Sequence, residues 1–334
     1  MAYTTIDDPE LYFQTKIWSG NGGTQAITFD GSENMQPDWV WIKRRNDTNA
    51  HTVLDSVRGA TKSLRADAAE AEETRASSLT SFDSNGFTLG SDGNVNASGG
   101  TYVAWNWKKV AGVFDIQTYA GNSNGSRTVA HNLGVVPSLI IVKNRTNAAD
   151  WFVGSTTSGV SFNWATDYFR LNEAAAKGTD SGGNLFGAVP TDSVFTPGTN
   201  NDMNGSNNNY VAYLFGNKQG VSKVGSYVGN GNANGTFVYT GFKPAWILRK
   251  NASTGSRSWN IYDVKRGINP NGSPLFADDS AAEPTGDNIV DLLSNGFKQR
   301  ATGGGSNTSG DNYIYMAFAS NPFVSSTGVP ATAR

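Results

Sequence analysis

One ordered set of sequence markers occurs three times along this chain of 334 residues. Internal repetition constrains the fold more than local propensity does, because each unit must bury its apolar face against itself or a neighbouring copy. A proline leads a short apolar strand and a basic residue in Pro37-Asp-Trp-Val-Trp-Ile-Lys43, Pro137-Ser-Leu-Ile-Ile-Val-Lys143 and Pro244-Ala-Trp-Ile-Leu-Arg-Lys250. A tyrosine leads a second strand in Tyr102-Val-Ala-Trp-Asn-Trp107, Tyr210-Val-Ala-Tyr-Leu-Phe215 and Tyr313-Ile-Tyr-Met-Ala-Phe318. Each copy opens on an aromatic and a Gly/Asn turn: Trp18-Ser-Gly-Asn-Gly22, Tyr119-Ala-Gly-Asn-Ser123 and Tyr227-Val-Gly-Asn-Gly231. Ser84-Asn-Gly-Phe87 matches Ser294-Asn-Gly-Phe297, with Val194-Phe195 at the equivalent place in copy two. The period is about one hundred residues, the size of a small domain. The expected units are an N-terminal arm at 1–14, repeats at 15–111, 112–221 and 222–323, and a C-terminal tail at 324–334.

Period-two alternation predicts antiparallel strands with one dry and one wet face. Trp39/Trp41, Leu139/Ile141 and Trp246/Leu248 form the expected core face of the Pro-led strands, and Val40/Ile42, Ile140/Val142 and Ile247/Arg249 the other face. In the Tyr-led strands Val103/Trp105/Trp107, Val211/Tyr213/Phe215 and Ile314/Met316/Phe318 point inward. The 39 glycines supply turns, and the 9 Trp, 12 Tyr and 17 Phe supply buried area, so the chain is ordered rather than disordered. The predicted class is all-β: three tandem antiparallel β-sandwich domains, jelly-roll-like, with short helical insertions. The strongest helical signal is Asp67 to Leu79, where Asp67 and Glu70 have capping-box spacing. Asp278 to Glu283 is its counterpart in copy three. Both are expected as a short helix or an ordered loop across one end of a sandwich.

The chemistry of the chain is sparse. A net charge of −2 offers nothing to nucleic acid or anionic membranes. The absence of cysteine removes disulfides, thiol nucleophiles and Cys-ligated zinc. No basic-then-apolar leader and no apolar run of about 20 residues occurs, so folding in the cytosol of the producing cell is expected. His51 and His131 lie in different copies, and a turn histidine such as His131 is more often a capping group than a ligand. No cofactor or metal is expected, nor a catalytic residue. Asp7, Asp8, Asp278 and Asp279 sit in turns, and Glu70, Glu72 and Glu73 read as a solvated face rather than a hydrolytic carboxylate pair. Gly229 to Gly235 reads as a hairpin turn, not a phosphate loop. Arg58-Gly59 and Arg266-Gly267 recur, and are expected to fix a loop by bonding carbonyls. Trp151, Trp164 and Trp259 lie outside the shared strands and are the candidate glycan or receptor contacts; the competing expectation is that they cover the sandwich ends.

These motifs, together with Asp55-Ser-Val-Arg-Gly-Ala-Thr-Lys62, Thr128-Val-Ala-His-Asn-Leu-Gly134, Phe237-Val-Tyr-Thr-Gly-Phe242 and Leu293-Ser-Asn-Gly-Phe-Lys298, resemble a repeat of tail-fibre and other virion proteins of marine tailed bacteriophages. The opening Met1-Ala-Tyr-Thr-Thr-Ile6 and the closing Ala331-Thr-Ala-Arg334 are similar too. The resemblance covers nearly the whole chain. It implies a virion structural protein, a tail fibre, spike or tip component for host attachment; a capsid decoration or head-fibre protein is the alternative, and a glycan-degrading enzyme ranks last. The expected partners are other virion proteins through the arm, with Tyr3, Tyr12 and Phe13 as assembly contacts. A homo-oligomer, trimer or hexamer, and a host-surface glycan or protein are expected as well.

Overall fold

The structure is a computed structural model and describes residues 4–182, 184–267, 273–285 and 289–330. Nearly all of its regular structure is antiparallel strand, arranged in seven sheets. Three sheets share one strand order: opening strand, Tyr-led strand, Pro-led strand, then a further strand. In copy one these are Phe13–Ser19, Thr101–Trp107, Trp39–Arg44 and Thr52–Asp55. Copy two uses Phe114–Ala120, Asn209–Phe215, Leu139–Asn144 and Trp151–Ser155. Copy three uses Ser222–Val228, Asn312–Pro322, Phe242–Asn251 and Asn260–Asp263. Register repeats as well: Trp39 faces Trp107, Leu139 faces Phe215, and Trp246 faces Phe318. Each large sheet is accompanied by a three-stranded sheet from the same copy.

The expected wet face does not exist. Trp39, Trp41, Leu139, Ile141, Trp246 and Leu248 are buried, and so are Val40, Ile42, Ile140, Val142, Ile247 and Arg249. The two faces enter different cores. The first meets its counterparts from the other two copies in one central cluster, which also holds Trp107, Phe215 and Phe318. The second packs on the copy's own three-stranded sheet, as Ile42 with Phe87, Ile140 with Phe195, and Ile247 with Phe297. Arg249 is tolerated inside because its guanidinium donates to Gln299 Oε1, Asn260 Oδ1 (2.9 Å) and the Tyr262 hydroxyl (3.0 Å), which satisfies most of a buried charge. In the centre, Trp107 lies 4.4 Å from Trp39 and 5.3 Å from Trp246, centroid to centroid.

The leading tyrosine is explained by a cap. Six residues before it, each copy has a buried asparagine, Asn96, Asn204 or Asn307, at the end of a one-turn helix: Gly93–Asn96, Asn201–Asn204 and Gly304–Asn307. That amide holds the opening Gly/Asn turn, as Asn96 Nδ2 does through Gly23 O (2.6 Å) and Asn307 Nδ2 through Asn232 O (2.8 Å). The tyrosine hydroxyl accepts from the backbone just after the helix and stacks on the opening aromatic, with centroids 5.4, 5.0 and 4.8 Å apart for Trp18–Tyr102, Tyr119–Tyr210 and Tyr227–Tyr313. The Gly229–Gly235 segment is therefore not a hairpin: it joins strands of two different sheets, pinned by Asn307.

No helix forms from Asp67 to Leu79. Asp67 Oδ1 accepts the His51 backbone N–H (2.9 Å) instead of capping, and Glu72 N donates to Arg145 O of copy two (3.0 Å). Tertiary partners for the backbone override local propensity here. The segment is an ordered strap lying on the next copy, and Asp278 to Glu283 repeats it, with Glu283 N on Arg45 O (2.7 Å).

Each seam holds a buried lysine at the same repeat position. Lys43, Lys143 and Lys250 end the Pro-led runs with no exposed surface, and each ammonium donates across a seam, to Ser280 O (3.0 Å), Ala69 O (2.8 Å) and Ala174 O (3.1 Å). Burial pushes each pKa down to about 8. Between that value and the ordinary 10.5, the unfolded chain holds protons that the folded chain gives up, so stability rises with pH through this window. Tyr119, Tyr213 and Tyr227 are pushed above 10 by burial, which reverses the trend once unfolded tyrosines ionise. Urea unfolding is expected to show a gain on the order of 1–2 kcal/mol per lysine from about pH 8 to pH 10. A triple Lys→Met variant should lose that gain; an unchanged slope contradicts the assignment.

Candidate functional site

The three tryptophans proposed as ligand contacts are buried. Trp151 begins the last shared strand of copy two, and its Nε1 donates to Arg65 O (2.7 Å) of copy one. Trp259 makes the same bond to Arg170 O (2.8 Å) of copy two. His51 occupies this strand-start position in copy one, where it accepts from Trp41 Nε1 (2.8 Å), and burial beside Lys43 holds its pKa down to about 3. Trp164 packs between Phe162 and Phe186 in the core of copy two. All three tryptophans are structural, closed to a sugar by the groups that cover them.

The assembly contacts are also largely internal. Phe13 is buried in the central cluster, with ring centroids 5.0 Å from Trp107 and 5.1 Å from Phe318, and Tyr12 packs partly buried against the same cluster. Tyr3 lies outside the described residues. The arm docks on its own chain, with Thr4 Oγ1 on Gln219 O (3.1 Å) and Asp7 accepting from Ser326. His131 caps a turn, its Nδ1 accepting from Leu133 N (3.3 Å).

The recurring arginines do fix their loops: Arg58 donates to Val53 O (3.2 Å), and Arg266 to Ile261 O (3.0 Å) and Ser273 O (3.2 Å). They also complete buried ion pairs with Asp55 and Asp263. Glu72 is not solvated: it bridges Arg58 (3.0 Å) and Arg145 (2.9 Å) across a seam, and Glu283 bridges Arg266 (2.7 Å) and Arg45. These groups tie copies together. Among the described residues, no group of three His, Asp or Glu side chains is arranged to hold a metal ion, and no helix is long and apolar enough to cross a membrane.

A different place is open. A groove of about 510 Å³ lies where copy three meets copy two. Tyr315 and Tyr227 line it below, Phe237 and Tyr239 form an aromatic wall, and Thr156, Thr157 and Ser158 of copy two contribute hydroxyls. Phe237 is 44% and Tyr239 47% exposed, whereas Val238 between them turns into the core. Tyr315 is only 3% exposed, and its hydroxyl makes no hydrogen bond among the described residues. Lys223 Nζ donates to Tyr239 O (3.1 Å) and sits 5.5 Å from the centre of that ring. Partial burial pushes the Lys223 pKa down. Among the described residues no carboxylate lines the groove, and Lys223 gives that lining a positive charge.

The other copies show that this groove is a departure from the repeat. Tyr315 pairs with Gly225, where copies one and two pair Ala104 with Lys16 and Ala212 with Gln117. Glycine is required opposite the tyrosine, because a Cβ on Gly225 would lie 2.6 Å from the Tyr315 hydroxyl oxygen. Lys16 and Gln117 instead turn to local partners, Asp30 (3.4 Å) and Asp115 (2.7 Å). On the small sheet, Ile27, Val129 and Val238 are equivalent, each opposite an inward phenylalanine. Phe237 and Tyr239 therefore replace Ala26 and Thr28 in copy one, and Thr128 and Ala130 in copy two. Three aromatics have entered where the repeat otherwise has small or polar residues. The signal was present in the sequence as a break in the repeat, not as a motif.

No curated protein and no solved structure matches the chain. Residues 8–322 match one family model, described as a domain of unknown function (DUF7483), which runs across all three sequence copies. By that match the chain belongs to the DUF7483 family.

Proposed function

We propose that the chain is a structural protein of a tailed-bacteriophage virion, built as three tandem antiparallel β-sandwich repeats of jelly-roll type and serving in host attachment as a tail fibre, spike or tip component. The observation that carries this reading is the groove at the seam of copies two and three, where Phe237, Tyr239 and Tyr315 stand in place of the small or polar residues of the other copies. Apolar surface left exposed forgoes burial free energy of about 25 cal/mol per Å², and a cluster of half-exposed aromatics beside a cation is the kind of surface that marks an interaction site. The motif resemblance to virion repeats supports the same direction. The reading is non-enzymatic. Partners in this proposal are other virion proteins and further copies of the chain in a closed trimer or hexamer.

Gold labelling of the protein on intact particles tests the placement. Label at the tail end is the expected result. Label on the head moves the protein to capsid decoration, and particles without label refute a virion role.

A further inference from the structure

We propose that the copy-three groove binds an acidic pyranose of a surface glycan, the sugar's C–H face lying on Tyr239 and Phe237 and its carboxylate meeting Lys223. The inference deepens the attachment reading and rests on it for its biological sense. Four observations converge on one ligand chemistry. The wall offers two half-exposed aromatic residues at alternate positions of one short strand, with Lys223 against the Tyr239 ring, and the apolar face of a pyranose complements such a surface. Tyr315, almost wholly enclosed, lines the groove, and its hydroxyl has no hydrogen-bond partner among the described residues, so this O–H is available to a sugar hydroxyl. The Thr156–Ser158 loop of copy two adds short hydroxyl side chains to the lining, Thr156 Oγ1 itself donating to Pro137 O (3.0 Å). Among the described residues Lys223 is the one charged side chain in the lining and no carboxylate lines the groove with it, so an anionic substituent is favoured over a neutral or cationic one.

The copies supply an internal control. Asp115 stands in copy two where Lys223 stands in copy three, and Gln14 in copy one. Exchanging groove residues for their counterparts in copies one and two thus removes the site with side chains that the repeat already accommodates.

The intact chain is titrated calorimetrically with tetragalacturonate and with sialyllactose, and with galactotetraose and lactose as uncharged matches. Binding of at least one acidic probe, with its neutral match roughly tenfold weaker or undetected, is expected. Phe237→Thr and Tyr239→Ala should each weaken acidic binding by about tenfold or more, and Lys223→Gln should erase the acidic preference while leaving residual neutral binding. The paired change Gly225→Gln with Tyr315→Ala should abolish the site; because it alters buried positions, the two exposed substitutions decide the matter if it fails to fold. No binding of either acidic probe, or binding unchanged in Tyr239→Ala, overturns the site. Equal affinity for acidic and neutral probes overturns the charge assignment. The readout uses isolated protein, so head labelling with intact glycan binding would reject attachment alone, and tail labelling without glycan binding would reject this inference alone.

Discussion

Trp107→Ala is expected to destabilise all three copies at once, by about 3–5 kcal/mol, the range for deleting a buried tryptophan from a packed core. Native domains typically hold only about 5–15 kcal/mol in reserve, so the variant should be marginal. The expectation follows from where Trp107 sits. Its ring neighbours are Phe13 and Trp39 of copy one, Phe215 of copy two, and Trp246 and Phe318 of copy three. The cavity would therefore open at the meeting point of three sheets, and no single copy could close it by itself. Hydrogen exchange should show lost protection in Ile314–Phe318 and Val211–Phe215 as well as in copy one. Loss confined to residues 15–111 would contradict a shared core.

Asp55→Ala should be nearly as damaging, about 3–5 kcal/mol, because it leaves a buried cation without its principal partner. The Arg58 and Asp55 side chains are fully enclosed, and Arg58 retains only Glu72 and a carbonyl once Asp55 is gone. The same carboxylate accepts the Val57 and Arg58 backbone N–H groups (3.1 and 2.8 Å) and the Tyr213 hydroxyl of copy two (2.7 Å). Asp263 accepts Trp105 Nε1 of copy one in the same way (2.9 Å). At the remaining seam the equivalents are Ser155 and Met316: the acid and its aromatic donor are both absent, as they must be if either alone would orphan the other. Combining Asp55→Ser with Arg58→Ser, which imitates Ser155 and Ser158 of copy two, should recover a large part of the loss in denaturant unfolding. A double variant as unstable as the sum of its single changes would show that the two side chains are not coupled.

Much of the strand layout was legible because strand periodicity and turn chemistry are local. The Pro-led and Tyr-led segments, the opening turns and the loop-fixing arginines could be read from residue order. What surrounds a strand could not. Alternation predicts a wet side only if one face meets solvent, and here both faces of Trp39–Arg44 are covered, one by the small sheet and one by other copies. Arg249 looked like a mark of solvent and instead carries its own set of polar partners inside. The Asp67–Leu79 strap has a helical composition, yet its backbone bonds go to another copy, which local propensity does not register. Trp151 and Trp259 stand out in the sequence for lying outside the Pro-led and Tyr-led strands, yet seams between copies need large donors as much as surfaces need ligands. The groove was missed because its residues break a pattern rather than make one: Tyr315 for alanine, Gly225 for a long polar residue, and Phe237 and Tyr239 for small ones.

Scanning calorimetry of the intact chain tests most directly whether the three copies fold around one common centre. One transition is predicted, with calorimetric and van't Hoff enthalpies in a ratio near one. Two or three resolved transitions, each assignable to a single copy, would contradict it.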